Sequence, residues 1–213
     1  MTKQPYPAAP PSTAVEITKS GPVSLRVREI DPANSVLELA VDYEKADIPA
    51  RAYASDFCQV IKTQIEYVIV FGKLAPGTVK LRNKVEISFQ RHAFGHQLWN
   101  STRPLETALR EHYTSDAISI RDFTDTDVVQ SFRSNNAFMA CLGEEGLVDF
   151  YYIPPNEIDY VRRGRRQKVT LDPVLRIVMS APLLLYFIEQ IDATVQAEPG
   201  WEATIKTDLE KYR

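Results

Sequence analysis

Four arginines and a lysine fall within seven positions of this chain: Arg162, Arg163, Arg165, Arg166 and Lys168. A guanidinium presents a planar fork of donors that fits phosphate or carboxylate two bonds at a time, and a lysine adds a point charge. The stretch is suited to binding anions, either the backbone of a nucleic acid or the acidic surface of a protein. Tyr151, Tyr152 and Tyr160 flank it, and such rings stack on the bases of a single strand. A second basic row, Lys80, Arg82 and Lys84, lies on one face of a candidate strand, with Arg26 and Arg28 on a candidate neighbour. That row also has a structural explanation: pairing with Glu38, Asp42 and Glu86 keeps the outer face of a sheet solvated. The whole chain is acidic, with a net charge of −3 and a pI near 5.7. It does not coat nucleic acid through bulk charge, so any positive patch is local.

The residues that usually carry catalysis are not arranged for it. His92 and His96 have the i, i+4 spacing of two metal ligands on one helix face, but a third ligand is missing and no Glu follows His92 as in zincins. Two surface histidines is the simpler reading. His112 stands near a helix C-terminus, where a cationic ring complements the dipole. Cys58 and Cys141 have neither metal spacing nor a disulfide framework and read as small hydrophobes on strands. No G-x-S-x-G, P-loop or G-x-G-x-x-G occurs, and eight glycines leave little for phosphate-cradling loops. Glu144-Glu145 and Asp125 with Asp127 read as turn residues. The expectation is a protein that is not an enzyme and takes no cofactor or metal.

The longest apolar run, Leu183 to Ile188, falls far short of the roughly 20 residues of a membrane span. The opening MTKQPYPAAPPSTA lacks the apolar core of a signal peptide, and Pro5, Pro7, Pro10 and Pro11 give residues 1–20 the character of a disordered, polyproline-II-biased tail. With two unpaired cysteines, the expected location is cytoplasmic.

The elements that hold these residues follow from periodicity. Apolar and polar residues alternate along Val23–Arg28 and Leu37–Tyr43, the pattern of half-buried strands. SDFCQVIKTQIEYVIVFGKLAPG reads as two strands joined by a polar turn near Lys62 to Gln64, with Pro76-Gly77 as the next turn. Val79, Leu81, Val85, Ile87 and Phe89 then mark one face of a further strand. The period becomes helical through HAFGHQLWN and again from Pro104, a first-turn residue, to His112.

The second half retells the first. Ile118–Phe123 reads as a strand, NNAFMACLGEEGLVDFYYIPP as a hairpin turning at Glu144-Glu145-Gly146, VLRIVMS as a strand, and APLLLYFIEQIDATV as a helix capped by Ser180. A final amphipathic stretch runs from Trp201 to Tyr212. Phe57 and Phe71, 14 apart, align with Phe138 and Phe150, 12 apart, and Lys84–Ser88 aligns with Arg176–Ser180. Ser88 follows Phe71 by 17 positions and Ser180 follows Phe150 by 30, so the second half holds about 13 extra residues, filled by NEIDYVRRGRRQK. The basic stretch is an insertion that one repeat alone owns, and loops grafted onto a scaffold are where function concentrates.

Both halves resemble a small bacterial domain family of unknown function, about a hundred residues long. The matching residues are Ala52-Tyr53-Ala54, Glu66, Val70-Phe71, Pro76-Gly77, Lys84-Val85 and Ile87-Ser88 in the first half. In the second they are Asn136, Phe138, Asp149-Phe150, Pro154-Pro155, Arg176-Ile177 and Ser180. The likeness covers residues 36–112 and 118–196 and lends no chemistry. Four strands and a helix, twice, is also topologically similar to Whirly-type single-stranded-DNA-binding proteins, although no Whirly sequence motif is present.

The expected fold is α+β: two similar antiparallel β-sheet plus helix repeats, 21–113 and 114–213, after a disordered tail. The second carries the basic insertion at 156–168 and a short C-terminal helix. The expected function is a non-enzymatic binding or assembly module acting through its sheet faces and basic loop, with an acidic protein as partner. The alternative is a single-stranded nucleic-acid-binding protein of Whirly-like architecture. Leu183 to Ile188 is apolar nearly all round, which predicts burial on both sides, either within the chain or in a homo-oligomer formed through the helices. No membrane is expected to be a partner.

Overall fold

The computed structural model describes residues 23–31, 36–41, 46–75, 81–90, 99–115, 128–165 and 168–197. The proline-rich tail, Pro76-Gly77, Lys80, His92, His96, the strand at Ile118–Phe123, Asp125, Asp127 and the C-terminal helix lie outside these residues. In chain order the elements are β1 (Val23–Asp31), β2 (Val36–Val41), β3 (Ala52–Ala54), β4 (Phe57–Lys62), β5 (Glu66–Leu74), β6 (Leu81–Gln90), α1 (Trp99–Arg110), β7 (Val128–Arg133), β8 (Asn136–Leu142), β9 (Glu145–Tyr152), α2 (Pro155–Arg162), β10 (Lys168–Val169), β11 (Asp172–Ser180) and α3 (Ala181–Gln196). The fold is α+β, with two four-stranded sheets ordered β4-β5-β6-β7 and β3-β11-β9-β8, and a small sheet ordered β10-β1-β2.

Each large sheet holds three antiparallel strands of one half and a parallel edge strand from the other. β7 of the second half pairs with β6, matching Ile87 to Phe132, and β3 of the first half pairs with β11, matching Ile177 to Tyr53. The expected boundary between residues 113 and 114 therefore does not separate the sheets, and neither sheet is wholly antiparallel. The outer edge of β6 is taken by β7 and that of β11 by β3, so each half supplies the last strand of the other's sheet. Equivalent main-chain bonds fix both exchanges: Ser55 N–H donates to Val178 O at 2.8 Å and Ser134 N–H donates to Ser88 O at 3.0 Å.

The two hairpins share one register. Adding 136 − 57 = 79 turns Phe57↔Gly72 into Asn136↔Tyr151 and Lys62↔Tyr67 into Cys141↔Gly146. Phe57 thus corresponds to Asn136, not to Phe138, and the second hairpin is not shortened. A two-residue slip preserves the facing of every side chain, so periodicity alone could not detect it. Phe71↔Val85 and Phe150↔Leu175 are equivalent pairs spanning 14 and 25 positions, so the insertion has 25 − 14 = 11 residues. The β8–β9 hairpin turns at Gly143-Glu144, one residue before the expected Glu144-Glu145-Gly146, with Gly143 at φ +62°.

The repeats share one core. Tyr67, Ile69, Phe71, Val85, Ile87 and Phe89 meet Val148, Phe150, Leu175 and Ile177 in a continuous buried cluster with α3. α3 buries Leu183, Leu184, Leu185, Phe187, Ile188, Ile191 and Val195 because β4, β9, β11 and α1 surround it. The apolar surface expected to serve either an oligomer or the chain itself is thus covered within the chain. Ser180 caps this helix, its hydroxyl accepting from Leu183 N at 3.3 Å. Arg110 joins the two long helices, its guanidinium lying 2.9 Å from both Glu106 and Glu189. α1 is a single helix beginning at Trp99, so Pro104 sits inside it and not in its first turn. None of the helices among the described residues is long and apolar enough to cross a membrane.

Candidate functional site

The described part of the basic insertion is the helix α2, its terminal turn and the start of β10. Pro155 opens α2 as an N1 residue, where its missing N–H has no intrahelical role. The helix ends in a Schellman motif: Arg165 N–H donates to Tyr160 O at 2.8 Å and Gly164 N–H donates to Val161 O at 2.9 Å. Gly164 has φ +66°, the left-handed backbone this stop requires. It fixes the end of the helix. The arginines gather at the negative end of the helix dipole, which explains part of their clustering without any ligand. Arg163 also reaches back one turn, its Nε 3.1 Å from Asp159 Oδ1.

The insertion is anchored from beneath. Tyr151, Ile153, Val169 and Leu171 form a second buried cluster with Ala46, Ile158 and Val161. Asn135 holds its first residues: its Nδ2 donates to Ile153 O at 2.7 Å, and Ile153 N–H donates to its Oδ1 at 2.8 Å. Beyond α2, β10 receives the β1–β2 hairpin through Val23↔Val169 and Ser24↔Lys168. The insertion is therefore the dock of the N-terminal hairpin as well as the bearer of the cations.

Arg176 and Asp149 face each other on β11 and β9 beside this anchor. The guanidinium grips the carboxylate with two bonds, Nε to Oδ1 at 2.6 Å and Nη2 to Oδ2 at 2.7 Å. Asp149 is 4% exposed, so this pair satisfies a charge taken out of water. The bond to Asp149 raises the Arg176 pKa above its ordinary value. Burial, followed by the negative charge of Asp149, pushes the Tyr151 phenol well above its usual range.

Of the cations expected to act together, Arg163, Arg165 and Lys168 are exposed around the end of α2 and on β10. Arg162 closes α2, while Arg166 lies outside the described residues. Arg82 is exposed on β6, in a different sheet from β10. Lys84 is 5% exposed, with its ammonium 2.9 Å from Glu86, so it is not free to track phosphates. Tyr151, at 3% exposure, is a core residue and offers no face for stacking. Tyr152 and Tyr160 are half-buried. Of the two thiols, Cys58 is buried and Cys141 partly exposed; burial raises both pKa values, the opposite of an activated nucleophile.

No family model, curated protein or solved structure matches the chain. Asp149 and Arg176 were missed as a pair from sequence, although each is the single charge within an apolar run, GLVDFYY and VLRIVMS. A lone charge in such a run needs a partner, and that was the available signal.

Proposed function

We propose that this protein is a non-enzymatic binding module that presents its basic insertion to an acidic segment of a partner protein in the cytoplasm. The observation that carries this reading is the anchored helix α2 and strand β10, with Arg163 and Arg165 exposed at the helix end and Lys168 exposed on the strand. A rigid platform loses little conformational entropy when its cations meet carboxylates, and bidentate arginine contacts gain from that order. The buried charges of the scaffold are engaged with one another: Asp149 with Arg176, and Lys84 with Glu86. That arrangement favours a structural scaffold over a reaction centre. The withdrawal of Tyr151 and Lys84 from the surface favours acidic protein over single-stranded nucleic acid. The common hairpin register supports an internal duplication of one β-hairpin unit.

The test is fluorescence anisotropy with two labelled probes, a peptide rich in Asp and Glu and a single-stranded oligonucleotide, each at low and moderate salt. The reading expects peptide binding that weakens with salt and is lost when Arg162, Arg163, Arg165 and Arg166 are changed to Ser. Equal or tighter binding of the oligonucleotide, lost in the same variant, replaces it with the nucleic-acid reading. No binding of either probe at low salt removes both.

A further inference from the structure

Sheet edges are where unpaired backbone groups invite another strand, and natural proteins blunt them with charge, brevity or a cover. In the two large sheets the edge strands are β4, β7, β3 and β8. β3 has only three residues, β7 ends in Arg133, and β4 ends in Lys62. β4 is also plugged: the N–H of Val60 points away from β5 and donates to Gln190 Oε1 of α3 at 2.8 Å. β8 has α1 packed beside it, as β4 has α3, but among the described residues it carries neither a charge nor a side-chain plug of this kind. Its seven residues, Asn136-Ala137-Phe138-Met139-Ala140-Cys141-Leu142, include no charge.

Because the hairpins share one register, the outward backbone groups of β8 are known from those of β4. Met139 is the counterpart of Val60, and Cys141 follows it by two positions. Among the described residues, neither N–H has a hydrogen-bond partner. On the outer face of the same strand stand Phe138, 41% exposed, and Leu142, 68% exposed.

We propose that β8 is a self-association edge, at which two copies of this chain pair β8 to β8 antiparallel about a two-fold axis through Ala140. In this register Met139 of one copy exchanges both backbone bonds with Cys141 of the second, and Cys141 does so with Met139. Ala140 faces its own counterpart, and Phe138 of each copy lies opposite Leu142 of the other. These are non-hydrogen-bonded positions, where side chains approach most closely. The occupant is a second copy because the strand is complementary to itself. The two exposed apolar side chains, four residues apart, exchange places under the two-fold, and no charge meets its like. Such an isologous contact closes as a dimer and does not propagate. This inference does not rest on the basic insertion.

The experiment is sedimentation of the full chain over a concentration series. The wild type is expected to sediment as a dimer that dissociates on dilution. Ala140→Lys sets two ammonium groups opposite each other on the axis and is expected to weaken association at least about tenfold, with an unchanged far-UV spectrum. If that variant does not fold, Leu142→Lys makes the same test at the flank. In Ala140→Cys the axial, non-hydrogen-bonded positions have Cβ atoms about 4.5 Å apart, within reach of a disulfide, so mild oxidation is expected to give a covalent dimer absent from the wild type. Changing Arg162, Arg163, Arg165 and Arg166 to Ser is expected to leave the dimer intact, which separates this proposal from the acidic-partner reading. A monomer at every concentration overturns the proposal. So does a dimer that persists in folded Ala140→Lys, or one that Ala140→Cys fails to trap.

Discussion

The rings of Phe71 and Phe150 meet with centroids 5.9 Å apart and planes inclined by 58°. They are also each other's counterpart in the two halves, as the shared hairpin register requires. A residue that touches its own counterpart lies at the approximate two-fold axis relating the repeats. Other contacts come in reciprocal form: Tyr53 Oη donates to Gln130 Oε1 at 2.6 Å, and the counterpart of that pair, Phe132 with Arg51, forms a cation–π contact at 5.9 Å. Phe71→Ala and Phe150→Ala are each expected to cost about 3–5 kcal/mol of stability. Because the rings touch, the double variant should depart from additivity by about 0.5–3 kcal/mol in urea denaturation. Additive losses would place the rings in independent cores.

The hydroxyls of Ser55 and Ser134 do the same work twice. Ser55 Oγ donates within reach of Phe57 O at 2.6 Å and Gly72 O at 2.9 Å, and Ser134 Oγ stands 2.9 Å from Asn136 O and 2.6 Å from Tyr151 O. Each pins the corner where an exchanged strand turns into its own hairpin. Ser55→Ala and Ser134→Ala should each destabilise by about 1–3 kcal/mol, since buried carbonyls lose their donor. Chemical denaturation of both variants checks whether the two losses match.

Asp149→Ala leaves the Arg176 guanidinium beside the insertion without its carboxylate. The expected loss is about 3 kcal/mol, and a double change, Asp149→Ala with Arg176→Met, should recover most of it. Thermal melts of the single and double variants measure this. A double variant no better than the single would show that the ion pair itself, and not the stranded charge, sets the cost.

Alkaline pH should weaken the fold through Cys58. Its burial pushes the folded thiol well above its ordinary range, while the unfolded thiol ionises from about pH 8.5. Above that pH the unfolded state binds fewer protons than the folded one. The contribution is therefore fully present below the unfolded pKa and is lost as pH rises toward the folded one, by up to about 1.4 kcal/mol per pH unit. Tyr151 adds a loss of the same sign from about pH 10. Cys58→Ala, which copies the second half's Ala137, should flatten the stability profile between about pH 9 and 10, as read by denaturation at each pH.

Much of the fold was legible because strand alternation is a strong local signal. β5, β6 and α3 lie where their apolar patterns put them, and the duplication was visible in the phenylalanines. The pairing of Phe57 with Phe138 was wrong by two residues because alternation repeats every two. Strand exchange left no local trace: Ala52-Tyr53-Ala54 reads the same whether it joins its own sheet or the other. Burial of Lys84 and Tyr151 was hidden for a related reason, since the polar face of a strand stays polar in sequence even where other elements cover it. The cations of the insertion were plain, but their attachment to a helix end was not, because Gly164 reads equally as a flexible joint or a left-handed stop.

The exchange of β3 also sets an order on synthesis. Ala52 bonds into the ladder beside Arg176, its partner across 176 − 52 = 124 positions of chain. When β3 leaves the ribosome, the strand that will hold it has not yet been translated. The first half can gather its own hairpin and β6, yet β3 must wait through α1, β7, β8, β9, α2 and β10 before β11 arrives. Contacts of such separation form late and slowly. A nascent chain halted anywhere before residue 178 therefore leaves the β3 ladder incomplete, and the second sheet closes only with the last strand to be made.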